Sequence, residues 1–267
     1  MDPRKLRVAL LAVVGAVLVV LSACAPPPPP RPIVGIYGDS ISYQASPWSD
    51  AALSAAGYDV VAFRFPGLAA CDLVDHVLRD LADPGRRPSV IVVVTTGNSL
   101  TSCMKGGGPT PAAAGSDQYY DLYRSALDRI ADAADAAGVP FVFTWGPLPS
   151  PFTPSWAGSN HLAFVAEAVA EEHTGMVVRH TADVVLDADG LPARDLPCTP
   201  EEQGTPSCTA GTVRIRVSDV DLHFYCPEPE TIFGGWPRPC PTDSPGGRRY
   251  GQELARVAVE ALGPGSS

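Results

Sequence analysis

Ile33-Val34-Gly35-Ile36-Tyr37 runs directly into Gly38-Asp39-Ser40-Ile41-Ser42. A short apolar run ended by a Gly reads as a buried strand entering a tight turn. Open α/β sheets place their reactive groups outside the carboxyl ends of the strands, and Ser40 falls at such an end. Asp and Ser are also good helix N-caps, so the same junction opens a helix whether or not Ser40 reacts.

Downstream, strand and helix signals alternate. Tyr58–Phe63 reads as a second strand, and Val90–Thr95 as a third, its β-branched run suiting a central strand covered on both faces. Phe141–Trp145 reads as a fourth, and either Met176–Val178 or Val184–Leu186 supplies a fifth. Tyr120, Tyr123, Leu127, Ile130 and Ala134 recur at helical spacing opposite Asp121, Arg124, Asp128 and Asp132, and Gly138 and Pro140 close that helix. Leu162, Val165, Ala166 and Val169 mark another, and Tyr250, Leu254, Val257, Ala258 and Ala261 the last. The alternation implies an α/β fold: a three-layer α/β/α sandwich on a parallel sheet of about five strands with right-handed crossovers. The roughly 235 residues of 33–267 suit one domain.

Residues 188–245 break the pattern and are rich in Pro, Gly and Cys. A stretch this long without periodicity is usually functional or disordered. The chain has seven Cys. With Cys24 assigned to the leader described below, an even number remains, which in an exported protein reads as disulfides. Six Cys allow 15 connectivities. The expected pairs are Cys71–Cys103, which follow two neighbouring strands, and the nearest-in-sequence pairs Cys198–Cys208 and Cys226–Cys240, which would staple the irregular insertion. His223 and Cys226 would be the residues of a metal site. No Cys-x-x-Cys pair accompanies them, so neither metal nor cofactor is expected.

Residues 1–23 read as a targeting segment. Arg4, Lys5 and Arg7 form a basic start, Val8–Leu21 an apolar core, and Leu21-Ser22-Ala23-Cys24 follows. This resembles a bacterial lipobox, which implies lipidation of Cys24 and a place on the outer face of the cell membrane. Residues 24–32 contain the run Pro26–Pro30, a stiff extended spacer. Loss of residues 1–23 takes the net charge from −10 to −12. An acidic surface argues against a nucleic-acid partner, and it leaves membrane attachment to the lipid.

Nucleophilic catalysis by Ser needs a base and donors for an oxyanion. Gly67, after the second strand, offers a backbone N–H. Asn98 of Gly97-Asn98, after the third, offers a side-chain amide, and His223 lies ahead of the final helix in Asp219-Val220-Asp221-Leu222-His223-Phe224. With Gly38-Asp39-Ser40-Ile41-Ser42, these residues resemble the blocks of the SGNH hydrolases, the GDSL-type esterases and lipases. The resemblance spans about Ile33 to the last helix. Pro66–Asp72 with Thr96–Cys103 resembles exported actinobacterial members. The resemblance implies a flavodoxin-like sandwich, Ser40 as nucleophile, His223 as general base, and an oxyanion hole made of the Ser40 N–H, the Gly67 N–H and Asn98. Two departures stand out. Gly97 and Asn98 are adjacent, where the family has one residue between them. The family's triad Asp stands three before the His, which here is Val220, so Asp221 and Asp219 are both candidates. On a regular strand both would share the face of His223, with Asp221 nearer, whereas a turn would favour Asp219.

The expected function is that of a monomeric serine esterase acting on a small-molecule or envelope ester. The same site serves an acyltransferase that moves acyl groups among envelope glycans or lipids. A decayed binding module is the reading from another class. His76, His161, His173 and His180 have no motif partners and read as surface or capping residues. Trp145, Trp156 and Trp236 read as packing or loop anchors, with Trp236 also a candidate cleft residue, and the loop Gly146–Pro154 leaves the fourth strand on the side of Ser40.

Overall fold

Every residue of β3, Val90–Thr95, is buried, because helices cover both faces of the sheet it centres. The computed structural model describes residues 29–146, 161–218, 221–228, 239–240 and 242–263. The leader 1–23, Cys24 and most of the proline spacer, most of loop 146–154, Trp156, Asp219 and Trp236 lie outside the described residues.

β1 (Ile33–Gly38), β2 (Asp59–Arg64), β3, β4 (Phe141–Trp145) and β5 (Met176–Arg179) form one parallel sheet in the order β2-β1-β3-β4-β5. The strand order reverses between β1 and β3, and a crevice opens there at the carboxyl ends. α1 (Ser40–Ala55) and α5 (Pro245–Leu262) cover one face. α2 (Ala70–Ala82), α3 (Asp117–Ala137) and α4 (Leu162–Glu172) cover the other. Alternate β3 residues feed the two cores. Ile91 and Val93 meet the α2–α3–α4 layer, while Val90, Val92 and Val94 meet α1 and α5. This is the three-layer α/β/α sandwich that the alternation predicts.

Local differences have simple causes. Tyr58 is buried but precedes its strand, because its N–H still closes the end of α1 on the Leu53 carbonyl at 3.0 Å. The fifth strand is Met176–Arg179, and Thr181–Val185 is a 3₁₀ turn that tucks Ala182 and Val185 under the sheet. α1 carries Pro47, which cannot donate to the Tyr43 carbonyl. The Ser46 hydroxyl takes that carbonyl instead, at 2.8 Å.

The described residues of the insertion carry regular structure. β6 (Asp195–Pro197) and β7 (Thr212–Arg214) pair antiparallel. A second small hairpin follows, in which Tyr225 N donates to Ile215 O at 2.9 Å and Val217 N to His223 O at 3.2 Å. Disulfides join Cys71–Cys103, Cys198–Cys208 and Cys226–Cys240. Glu202 is buried against α5, where it pairs with Arg248 at 3.3 Å and Arg249 at 2.5 Å. Burial pushes its carboxyl up, but the arginine hydrogen bonds prevail and bring it down to about 2.

Candidate active site

Asp39 caps α1, its Oδ1 accepting from Ile41 N at 3.1 Å, and Ser40 is the first helical residue. The cap and a serine at the strand end therefore coexist at this junction. The first N–H groups of a helix have no intrahelical acceptor, so Ser40 sits in a field that favours negative charge. Gly38 allows the close approach behind it. A Cβ there would lie 2.6 Å from the Val94 carbonyl and 2.6 Å from Ser42 Oγ.

His223 Nε2 lies 3.1 Å from Ser40 Oγ, and its Nδ1 lies 2.8 Å from Asp221 Oδ1. Oδ1 also accepts from the His223 backbone N–H at 2.9 Å. One carboxylate oxygen thus closes an Asx-type turn and holds the ring. This explains the unusual spacing: a turn brings the residue two before His223 onto the imidazole, where a regular strand was one expectation and a turn favouring Asp219 the other. With Nδ1–H donating to the carboxylate, Nε2 keeps its lone pair for the Ser40 hydroxyl. The His223 hydrogen bond lowers the Asp221 carboxyl against the upward push of burial, and the nearby charge of Arg216 adds to the lowering. Arg216 is fully buried, and desolvation brings its guanidinium down to about 10 while Asp221 acts to raise it.

The hairpin carrying His223 is pinned from several sides. Leu222 and Phe224 are buried in the core under α1 and α5. Phe224 N donates to Gln44 Oε1 at 3.1 Å, and Ser244 Oγ donates to Tyr225 O at 2.8 Å. Gln44 is one helical turn from Ser40, so Ser40 and the His223 hairpin are referenced to the same helix. Helical spacing from Ser40 was the available signal for Gln44.

Gly67 turns at φ +84°, a left-handed conformation that suits glycine, and it lines the cleft beside Ser40. Asn98 lines the same cleft. Its Nδ2 lies 3.0 Å from Leu68 O, 3.2 Å from Asp39 Oδ2 and 3.4 Å from Thr96 Oγ1. A developing oxyanion would compete with these acceptors for one of the two amide hydrogens. Two buried tyrosines of α3 hold the Asn98 loop. Tyr119 OH donates to Gly97 O at 2.9 Å, and Tyr123 OH to Asn98 O at 2.8 Å. Burial pushes both phenols up, so they remain donors.

Asp39 does more than cap. Fully buried, it also accepts from Thr96 N and Thr96 Oγ1, each at 2.6 Å. Burial pushes its carboxyl up, opposed by the hydrogen bonds from Thr96 and Ile41. The cap is local and was expected of Asp39; its reach to the β3 loop appears only with the strands side by side.

The remaining expectations resolve locally. Cys226 is bonded to Cys240, so its sulfur offers no thiolate to a metal beside His223. Cys71, Cys103 and Asp72 cluster, but the two sulfurs are likewise joined. His76 stacks on Phe63, and His173 lies within 3.2 Å of Asp135, both away from the cleft.

No family model and no curated protein matches the chain. Similar solved structures include a GDSL-like lipase from Bacteroides thetaiotaomicron, 15% identical over 90% of this chain and 93% of that one, with TM-score 0.47. TesA is 20% identical over 60% of this chain and 89% of its own, with TM-score 0.40. A variant of the acetyl-xylooligosaccharide esterase Axe2 from a Geobacillus is 14% identical over 60% of this chain and 86% of its own, with TM-score 0.42. At such distances the chemistry has to be read from the site itself.

Proposed function

We propose that the chain is a serine esterase that hydrolyses a carboxylic ester through an acyl-enzyme. The observation that carries this is the unbroken line from Ser40 Oγ through the His223 ring to Asp221, at 3.1 Å and 2.8 Å, facing a cleft beside Gly67 and Asn98. Ser40 Oγ attacks the ester carbonyl while its proton passes to His223 Nε2. Asp221 holds the Nδ1–H and stabilises the imidazolium. The carbonyl oxygen, now negative, takes hydrogen bonds from the Ser40 and Gly67 N–H groups and from Asn98. Collapse breaks the bond to the alcohol oxygen, which leaves with the Nε2 proton. Water then gives a proton to Nε2 and attacks the acyl-Ser40, and the acid departs as Ser40 regains its proton.

The address is part of the proposal. A lipid on Cys24 would tether the monomer at the outer face of a bacterial membrane, and the lipobox-like residues 21–24 support this. A fluorophosphonate probe tests the chemistry. Labelling of Ser40, lost in His223→Ala, is the expected result. A wild-type chain that neither labels nor turns over p-nitrophenyl esters refutes the reading.

A further inference from the structure

Gly67 and Asn98 follow different strands, β2 and β3, and these are not neighbours, because β1 lies between them. Adjacent strands are about 4.8 Å apart, so the sheet sets the two exits roughly 10 Å apart. An oxyanion needs its donors within about 3 Å of one oxygen. The two loops therefore have to close over the end of β1, where Ser40 stands, and pairing within the sheet does not bring them together.

Two ties cross the gap. Asn98 Nδ2 donates to Leu68 O at 3.0 Å. The other tie is covalent. Cys71, in the first turn of α2 just after the Gly67 loop, is bonded to Cys103, which opens the 3₁₀ turn Cys103–Lys105 just after the Asn98 loop, and their Cα atoms are 6.0 Å apart. The first tie uses the amide that has to serve the oxyanion, so it is contested as charge develops. The disulfide is not. Each loop thus has one end held at the sheet, by Phe65 N on Gly38 O at 3.0 Å or by the tyrosines on Gly97 and Asn98, and its other end held at the disulfide. Between those ends, no backbone–backbone hydrogen bond involves residues 98–101 among the described residues, and these four line the cleft.

The segments that carry the two sulfurs have anchors of their own. Leu73, Val74 and Val77 of α2 and Met104 are buried in one core layer. Asp72 Oδ2 accepts from Ala69 N at 2.8 Å and so caps α2 without the sulfur. The bond is therefore dispensable for placing α2 and the 3₁₀ turn, and what it adds is the distance between two loops. We infer that Cys71 and Cys103 are positioning residues of the reaction, whose bond laces the β2 and β3 loops so that the Gly67 N–H and the Asn98 amide meet one oxyanion. The inference rests on the esterase reading above.

The test uses the detergent-solubilised full chain with p-nitrophenyl acetate and its thionoacetate analogue, in which sulfur, a weak hydrogen-bond acceptor, replaces the carbonyl oxygen. In the double variant Cys71→Ala/Cys103→Ala, kcat for the oxygen ester should fall about tenfold with KM little changed, as for a small misplacement of a catalytic donor. The ester-to-thionoester ratio of kcat should fall by a similar factor, because the thionoester gains little from the donors. The acid limb of the pH–rate profile should stay in place, since His223 and Asp221 stand on another element. Cys71→Ala/Cys103→Val, which refills the space of the sulfurs, should behave alike. Cys198→Ala/Cys208→Ala, which opens a disulfide away from the cleft, should keep the wild-type ratio. An unchanged ratio in the first two variants, a loss confined to KM, a displaced acid limb, or an equal fall in the third variant overturns the inference. So does failure of both Cys71/Cys103 variants to fold by circular dichroism, which would make the bond a support of the fold. Each readout is taken relative to an active wild type, so the esterase reading fails separately, when the wild-type chain turns over no ester and Ser40 does not label.

Discussion

Ser40, Gly67 and Asn98 stand just beyond the ends of three neighbouring strands, whereas His223 and Asp221 stand on a small hairpin outside the sheet. The first group is positioned by the register of a buried sheet and the start of a helix. The second is positioned by side-chain acceptors, the two apolar residues that flank His223, and a disulfide at Cys226, three residues beyond it. The difference teaches that the nucleophile should be lost only with the fold, while the base half can be loosened by small local changes.

Removing the reacting groups should erase the difference. Ser40→Ala and His223→Ala should each lower kcat by about 10⁴–10⁶, because they act as a unit, and p-nitrophenyl butyrate turnover measures this. Unequal losses would show that one half works alone. Asp221→Asn should cost about 10⁴ in kcat by offering the wrong partner to the ring. If its pH–rate profile and kcat match wild type, and those of Asp219→Asn do too, the site is a Ser–His dyad. Asn98→Ala should cost about 10²–10³ in kcat with KM little changed; an effect confined to KM would make it a ground-state contact.

Gln44→Ala sharpens the contrast, since it removes only the acceptor for Phe224 N. Leaving a buried donor unsatisfied costs about 1–3 kcal/mol, and kcat should fall roughly tenfold as the ring drifts from Ser40. Gln44→Glu, which keeps an acceptor, should restore most of that activity. The smallest effect on kcat is expected at Glu202. Its folded pKa lies below the ordinary carboxylate value of 4.5, so its pairing stabilises fully above that value and is lost as pH falls toward 2. Acid titration of unfolding should show up to about 3 kcal/mol disappearing across that window. Glu202→Gln should remove that share of the pH dependence while kcat at pH 7 stays near wild type.

Much of the sandwich was legible because its signals are local. Val90–Thr95 is apolar at every position but the last, and only a strand covered on both sides needs that. The α3 stripe and its Gly138 stop needed no tertiary knowledge. Ser40 was visible because a strand, a Gly and a capping residue converge on it. Asp39, Gln44 and the tyrosine pair were not visible as site residues. Each acts on a partner distant in the chain, and each has an adequate local reading as cap, helix former or core stripe. The spacing of Asp221 and His223 was visible, but its meaning depends on a turn that one side-chain oxygen makes for itself, and strand geometry could not supply it.

Asp39 has a consequence for how this chain can change over generations. Its single carboxylate receives the Ile41, Thr96 and Asn98 donors at once. Substitutions around a shared acceptor do not add. Once position 39 has lost its carboxyl group, altering Thr96 or Asn98 further removes little, whereas the same alterations in the intact chain leave a buried acceptor short of partners. Positions 39, 96 and 98 are therefore expected to vary as one inherited set. Drift at any one of them alone meets a barrier that a coordinated change at all three does not.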